Sequence, residues 1–136
     1  MRLGKTSIYG IFAVLYVAKS KDCKPVQGRE IAETYGIPVE YLLKILQSLV
    51  RVGVLRSVRG RTGGFSINRS PHEVTLEAII DVLEPAADIN ELLNNSVPGH
   101  LRVKSFLRSI YEDTMHKMQR SLKDVSIGQL VELDRS

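Results

Sequence analysis

The sequence has a single cysteine, Cys23, and no tryptophan. One thiol excludes an intramolecular disulfide framework and accords with a reducing cytoplasm, where this chain is expected to reside. No apolar run approaches the roughly 18 residues that a membrane-spanning helix needs. The run Ile8 to Ala18 is broken by Tyr9, Gly10 and Tyr16 and lacks a small-residue cleavage site, so it does not read as a signal peptide. No Ser/His/Asp set, metal-ligand spacing or carboxylate pair stands out, and the chain is not expected to be an enzyme. Acidic residues are missing from one long window. None occurs between Glu40 and Glu73, while Lys44, Arg51, Arg56, Arg59, Arg61 and Arg69 all fall inside it.

The cations are concentrated in one half. Residues 1–70 carry twelve Lys/Arg against four Asp/Glu, and residues 71–136 carry seven against eleven. A basic half joined to an acidic half suggests a polyanion-binding head with a tail of different purpose. With 43% hydrophobic and 25% charged residues, the chain has the composition of a folded globular protein, so wholesale disorder is excluded.

Along the chain, Ile8, Ile11, Phe12, Leu15 and Tyr16 recur at helical spacing and predict a first helix over about 6–20. Arg2 and Lys5 precede it, where they form either a mobile cationic arm able to reach a phosphate or a plain solvated terminus. Residues 28–35 read as a second helix with Ile31, Ala32 and Tyr35 inward, weakly capped at Gln27 and ended by Gly36. Pro38 suits the first turn of a third helix over about 38–52. That helix has an apolar stripe of Leu42, Ile45, Leu46, Leu49 and Val50, opposite a polar face of Glu40, Lys44, Gln47, Ser48 and Arg51. Helix, glycine turn and helix in this order is the spacing of a helix-turn-helix, and the polar face suits base edges.

Val54 to Arg59 and Phe65 to Ile67 then alternate as two strands, with Gly63-Gly64 supplying positive φ at the tip. Arg59 and Arg61 project from that ribbon, a shape suited to a narrow, negative minor groove. Thr75 is a fitting N-cap for a helix to Leu83 with Glu77, Asp81 and Glu84 outward. Residues 71–99 hold no Lys or Arg and are not expected to touch DNA. A long helix is expected over His100 to Lys123, its wide apolar stripe formed by Phe106, Leu107, Ile110, Tyr111, Met115, Met118 and Leu122. Such a stripe most simply buries itself against a second copy, the alternative being that it folds back on the first helix, and both can hold together. Ser126 to Gln129 forms a capping box for a short last helix. The expected fold is therefore mostly α with a small β-wing. Residues 1–84 form a winged helix-turn-helix head, 85–99 a connector, and 100–136 the dimerisation helix with the short C-terminal helix.

These residues together resemble the Rrf2 family of bacterial transcription factors. The resemblance rests on Met1-Arg2-Leu3 with Tyr9, Pro25-Val26, Glu30-Ile31-Ala32-Glu33, Gly36-Ile37 and Tyr41-Leu42. It continues through Leu46, Gly53-Val54-Leu55, Ser57-Val58-Arg59-Gly60, Gly63-Gly64-Phe65, Val74-Thr75-Leu76 and Ser126-Ile127 with Leu130. It implies a homodimer crossed through the long helix, with third helices in successive major grooves of a palindromic operator and wings in flanking minor grooves. The implied function is sequence-specific regulation of transcription, more often repression. The expected DNA-facing set is Arg2, Lys5, Gln27, Arg29, Val39, Glu40, Tyr41, Lys44, Arg51, Arg56, Arg59, Arg61 and Thr62.

Many members of the family hold an iron–sulfur cluster on three cysteines between the fourth and the long helix. Here that stretch, about Pro85 to Phe106, has none, and His100 with Asp88 or Glu91 cannot replace three thiolates, so no cofactor is expected. Cluster-bearing relatives often have an acidic residue where Leu43 stands and Pro-Gly where Arg61-Thr62 stands, so their operator sequence does not transfer. No residue pattern assigns an effector, whether regulatory protein or small molecule. The rival readings are a protein-interaction module whose charged face binds an acidic partner, and a redox or metal sensor with atypical ligands.

Overall fold

The structure is a computed structural model that describes residues 1–135. Lys5–Ala18 forms α1, and its burial runs nearly all round the helix: Ser7, Gly10, Ile11, Ala13, Val14, Leu15 and Val17 are enclosed. The small residues let neighbours close in from several sides, so α1 is the central strut. Ile8 and Phe12, expected to point inward, are exposed instead. Gly28–Tyr35 forms α2 and Val39–Arg51 forms α3. Gly36 ends α2 in the left-handed conformation at φ +67°, a geometry that costs glycine nothing. Pro38 occupies the N-cap position, one residue earlier than expected. Tyr35 does not face inward. It lies edge-on to Phe12 and Tyr16, each at a ring-centroid distance of 5.8 Å.

The ribbon is antiparallel, β1 (Leu55–Val58) against β2 (Gly64–Ile67), with Leu55 opposite Ile67 and Val58 opposite Gly64. Val26 adds a short third rung: its N–H donates to Phe65 O at 2.8 Å and its carbonyl accepts from Phe65 N at 2.7 Å. The positive φ values flanking the tip belong to Gly60 and Gly64 rather than to a Gly63-Gly64 pair.

Helix α4 (Leu76–Leu83) starts at Thr75, whose hydroxyl accepts from Ala78 N at 3.2 Å. A short helix, α5 (Ile89–Asn94), is capped by Asp88. The long helix α6 (Leu101–Lys123) follows, and α7 (Ile127–Arg135) opens on the expected capping box of Ser126 with Gln129. The connector between α4 and α6 is laced to α6: Arg108 bonds Asn90, Tyr111 Oη donates to Ala87 O, and Lys104 Nζ donates to Val97 O.

Ile31, Leu42, Leu46, Leu49, Leu55, Ile79, Ile80 and Ile127 are all sealed from solvent, so α2, α3, α4, β1 and α7 share one core around α1. The last helix thus packs back onto the head. The stripe of α6 divides. Met115, Met118 and Leu122 pack against the head's core, whereas Phe106, Leu107 and Ile110 stand 65%, 46% and 50% exposed. Tyr111, half-buried, marks the change. Among the described residues no helix is long and apolar enough to cross a membrane.

Candidate nucleic-acid interface

The reading surface begins on α3. Glu40, Lys44, Gln47 and Arg51 stand three and four residues apart, which places them on one face. All four are exposed, while Leu42, Ile45, Leu46 and Leu49 of the same helix are buried. Val39, in the first turn, is half-buried against the core, so its share in any interface is smaller than its position suggests. Tyr41 is 39% exposed.

The wing supplies Arg56, Arg59, Arg61 and Thr62, all exposed. Among the described residues no ion pair involves Arg29, Lys44, Arg51, Arg56, Arg59 or Arg61; the pairs formed are Arg2–Glu84, Lys19–Asp134, His72–Glu132 and Lys117–Asp113. Cations left without internal partners keep their full charge for a polyanion. Between the wing and the start of α2 lies a cleft lined by Lys24, Gln27, Glu30, Thr62 and Gly63. No side chain caps the α2 N-terminus there. Arg29 is exposed in the first turn of α2. Lys24 joins this group because the Val26 rung brings its loop to the wing.

The N-terminal residues are not a mobile arm. Met1 is buried, Ser7 Oγ donates to Arg2 O at 2.9 Å, and the Gly4 N–H donates to a Glu84 carboxylate oxygen at 2.7 Å. Glu84, expected to point outward, is only 9% exposed at its side chain and also accepts from Ser7 Oγ at 2.8 Å. The Arg2 guanidinium lies 3.7 Å away, its side chain 80% exposed. Lys5 sits with its Nζ 5.6 Å from the Tyr9 ring centroid.

Burial opposes ionisation of Glu84, but the Ser7 hydroxyl, the Gly4 amide and Arg2 outweigh it and hold the carboxyl below the ordinary glutamate range. A depressed folded value means the clasp's stabilisation is present above the unfolded value of about pH 4.3 and is lost as pH falls through the folded one. Glu84→Gln is therefore expected to lower stability at pH 7 and to lose less, relative to the parent, below about pH 4. Urea unfolding at both pH values measures this, and an equal loss at both would show the charge is irrelevant.

A helix pair followed by an arginine-tipped ribbon, open cations along both, is a winged-helix DNA-binding head. The Rrf2 family, described as iron-dependent transcriptional regulators, matches residues 3–133, and the chain belongs to that family. It is a DNA-binding transcriptional regulator rather than an enzyme. Among its relatives, BadM of Rhodopseudomonas palustris, named as an HTH-type transcriptional regulator, is 33% identical over 136 residues, 99% of this chain and 86% of BadM. The fold resembles IscR of T. potens, with a TM-score of 0.75 at 23% identity over 100% of this chain and 89% of that one. It also resembles CymR, the global cysteine regulator of B. subtilis, with a TM-score of 0.73 at 22% identity over 98% of both chains.

The residues present do not fit the iron of the family's description. The one thiol, Cys23, is exposed in the loop before α2, away from the connector. Among the described residues no three His, Cys, Asp or Glu side chains group to hold a metal.

Proposed function

We propose that this regulator is a homodimer that reads a palindromic operator and represses by blocking promoter access. Two copies of α3 enter successive major grooves, and the two wings reach flanking minor grooves. The observation that carries this reading is the set of exposed cations on α3 and the wing that form no ion pair among the described residues, on a chain whose α6 leaves an apolar stripe open. Arg2, Lys5, Gln27 and Arg29 serve as phosphate contacts, which fix register. Glu40, Tyr41 and Lys44 face the groove, where donors and acceptors discriminate bases. Apart from Glu84, which lies beside Arg2, the acidic stretch from Glu73 to Glu91 stays clear of DNA.

Binding to a duplex selected from a random pool, compared with unselected duplex across salt concentrations, tests the proposal. Affinity should fall steeply with salt, with a slope near the number of neutralised phosphates. Equal affinity for both duplexes would overturn the specific-reader reading and leave an acidic protein as the better partner. Lys44→Ala is expected to cost about 1–3 kcal/mol on the selected duplex and little on unselected DNA. Equal loss on both would make Lys44 a phosphate contact only.

A further inference from the structure

We propose that Thr6, in the first turn of α1, is a positioning residue that holds Tyr41 for contact with DNA. The inference rests on the reading of α3 as the recognition helix and adds a residue that the sequence did not single out. Two contacts converge on the tyrosine. Its hydroxyl is hydrogen-bonded to Thr6 Oγ1. Its ring meets Tyr9 edge-to-face, with centroids 5.8 Å apart and planes at 87°. Lys5 in turn lies over Tyr9. Thr6, Tyr41, Lys44 and Ser48 line one cleft of about 210 Å³ at the edge of the reading surface.

Docking of α1 on α3 does not need this surface bond, because Leu42, Ile45, Leu46 and Leu49 already seal that helix against the core. What the bond does is restrict the phenol. An exposed tyrosine free to swing must be ordered when DNA arrives, at a cost in affinity; one ordered beforehand avoids it. The hydrogen-bond inventory is consistent with that role. Either hydroxyl can donate in this pair; in the orientation where Thr6 donates to the phenol oxygen, the Tyr41 proton remains for an acceptor. Lys5 and Lys44 flank the site, which favours a phosphate oxygen at the groove margin as that acceptor.

The test is a double-mutant cycle on the duplex selected by the parent protein, with binding measured across salt and unfolding measured in parallel. Thr6→Val is expected to weaken binding about five-fold, the scale of one net hydrogen bond, without changing the salt slope, since no charge is lost. Tyr41→Phe should lose at least as much, the double variant should bind no worse than Tyr41→Phe, and Thr6→Ser should restore binding. If Thr6→Val loses stability, Thr6→Ala takes its place in the cycle. Additive losses would overturn the inference by showing that Thr6 meets DNA independently. Unchanged binding by Thr6→Val beside a weakened Tyr41→Ala would also overturn it while leaving the interface intact. No effect of Tyr41→Ala would instead remove Tyr41 from the interface and with it the reading on which the inference stands.

Discussion

Ile110→Asp is expected to leave each head folded, convert the proposed homodimer to a monomer of about 15 kDa, and reduce operator affinity on the order of a hundred-fold or more. Ile110 is half exposed, in the open part of the α6 stripe with Phe106 and Leu107. In an isologous interface each substitution occurs twice, so two carboxylates would be buried with no counter-charge. Losing the pairing converts one bivalent encounter into two weak ones, which is why the effect on DNA should exceed that of any single contact residue. The choice of position matters. Met115, Met118 and Leu122 pack on the head's own core, and a charge there would confuse unfolding with dissociation. Sedimentation at micromolar concentration, with circular dichroism to confirm the fold, measures the first effect, and operator binding the second. A dimer that survives Ile110→Asp would remove α6 as the pairing element.

Much of this architecture is legible in the sequence because its signals are local. Gly36 marks the turn between α2 and α3, Thr75 caps α4, and Ser126 with Gln129 caps α7; each acts within four residues. The polar and apolar faces of α3 also follow directly from helical spacing. What stays hidden is long-range pairing. Glu84 looks like one more solvated carboxylate on α4, and only the fold brings it to Gly4 and Ser7. Periodicity likewise marks the whole α6 stripe as apolar, but cannot say that its C-terminal half covers the chain's own core. The same limit applies at the interface: the α3 and wing cations are visible as a charge window, whereas the Thr6–Tyr41 bond joins residues 35 positions apart with no motif to announce it.

The wing offers the second large effect, and it turns on a glycine rather than an arginine. Gly64 has φ +144°, a conformation that side chains other than glycine's rarely adopt. A Cβ there would fall 2.4 Å from Val26 O and 2.6 Å from its carbonyl carbon, backbone atoms that cannot move aside like a flexible side chain. Val26 is also where the wing is fastened, through its two hydrogen bonds with Phe65. Gly64→Ala is therefore expected to unseat the ribbon while the buried helices around Ile31, Leu46 and Ile80 hold the head together. If Arg59 and Arg61 reach the DNA backbone from that ribbon, Arg59→Ala alone should cost about 1–3 kcal/mol and lower the salt slope by about one. Gly64→Ala should match or exceed the Arg59→Ala/Arg61→Ala pair, although it removes no charge, because both guanidinium groups lose their support at once. Salt-dependent binding of the three variants, alongside urea unfolding, separates geometry from charge. Wild-type affinity in a folded Gly64→Ala protein would mean that the wing does not touch DNA and that α3 alone reads the operator.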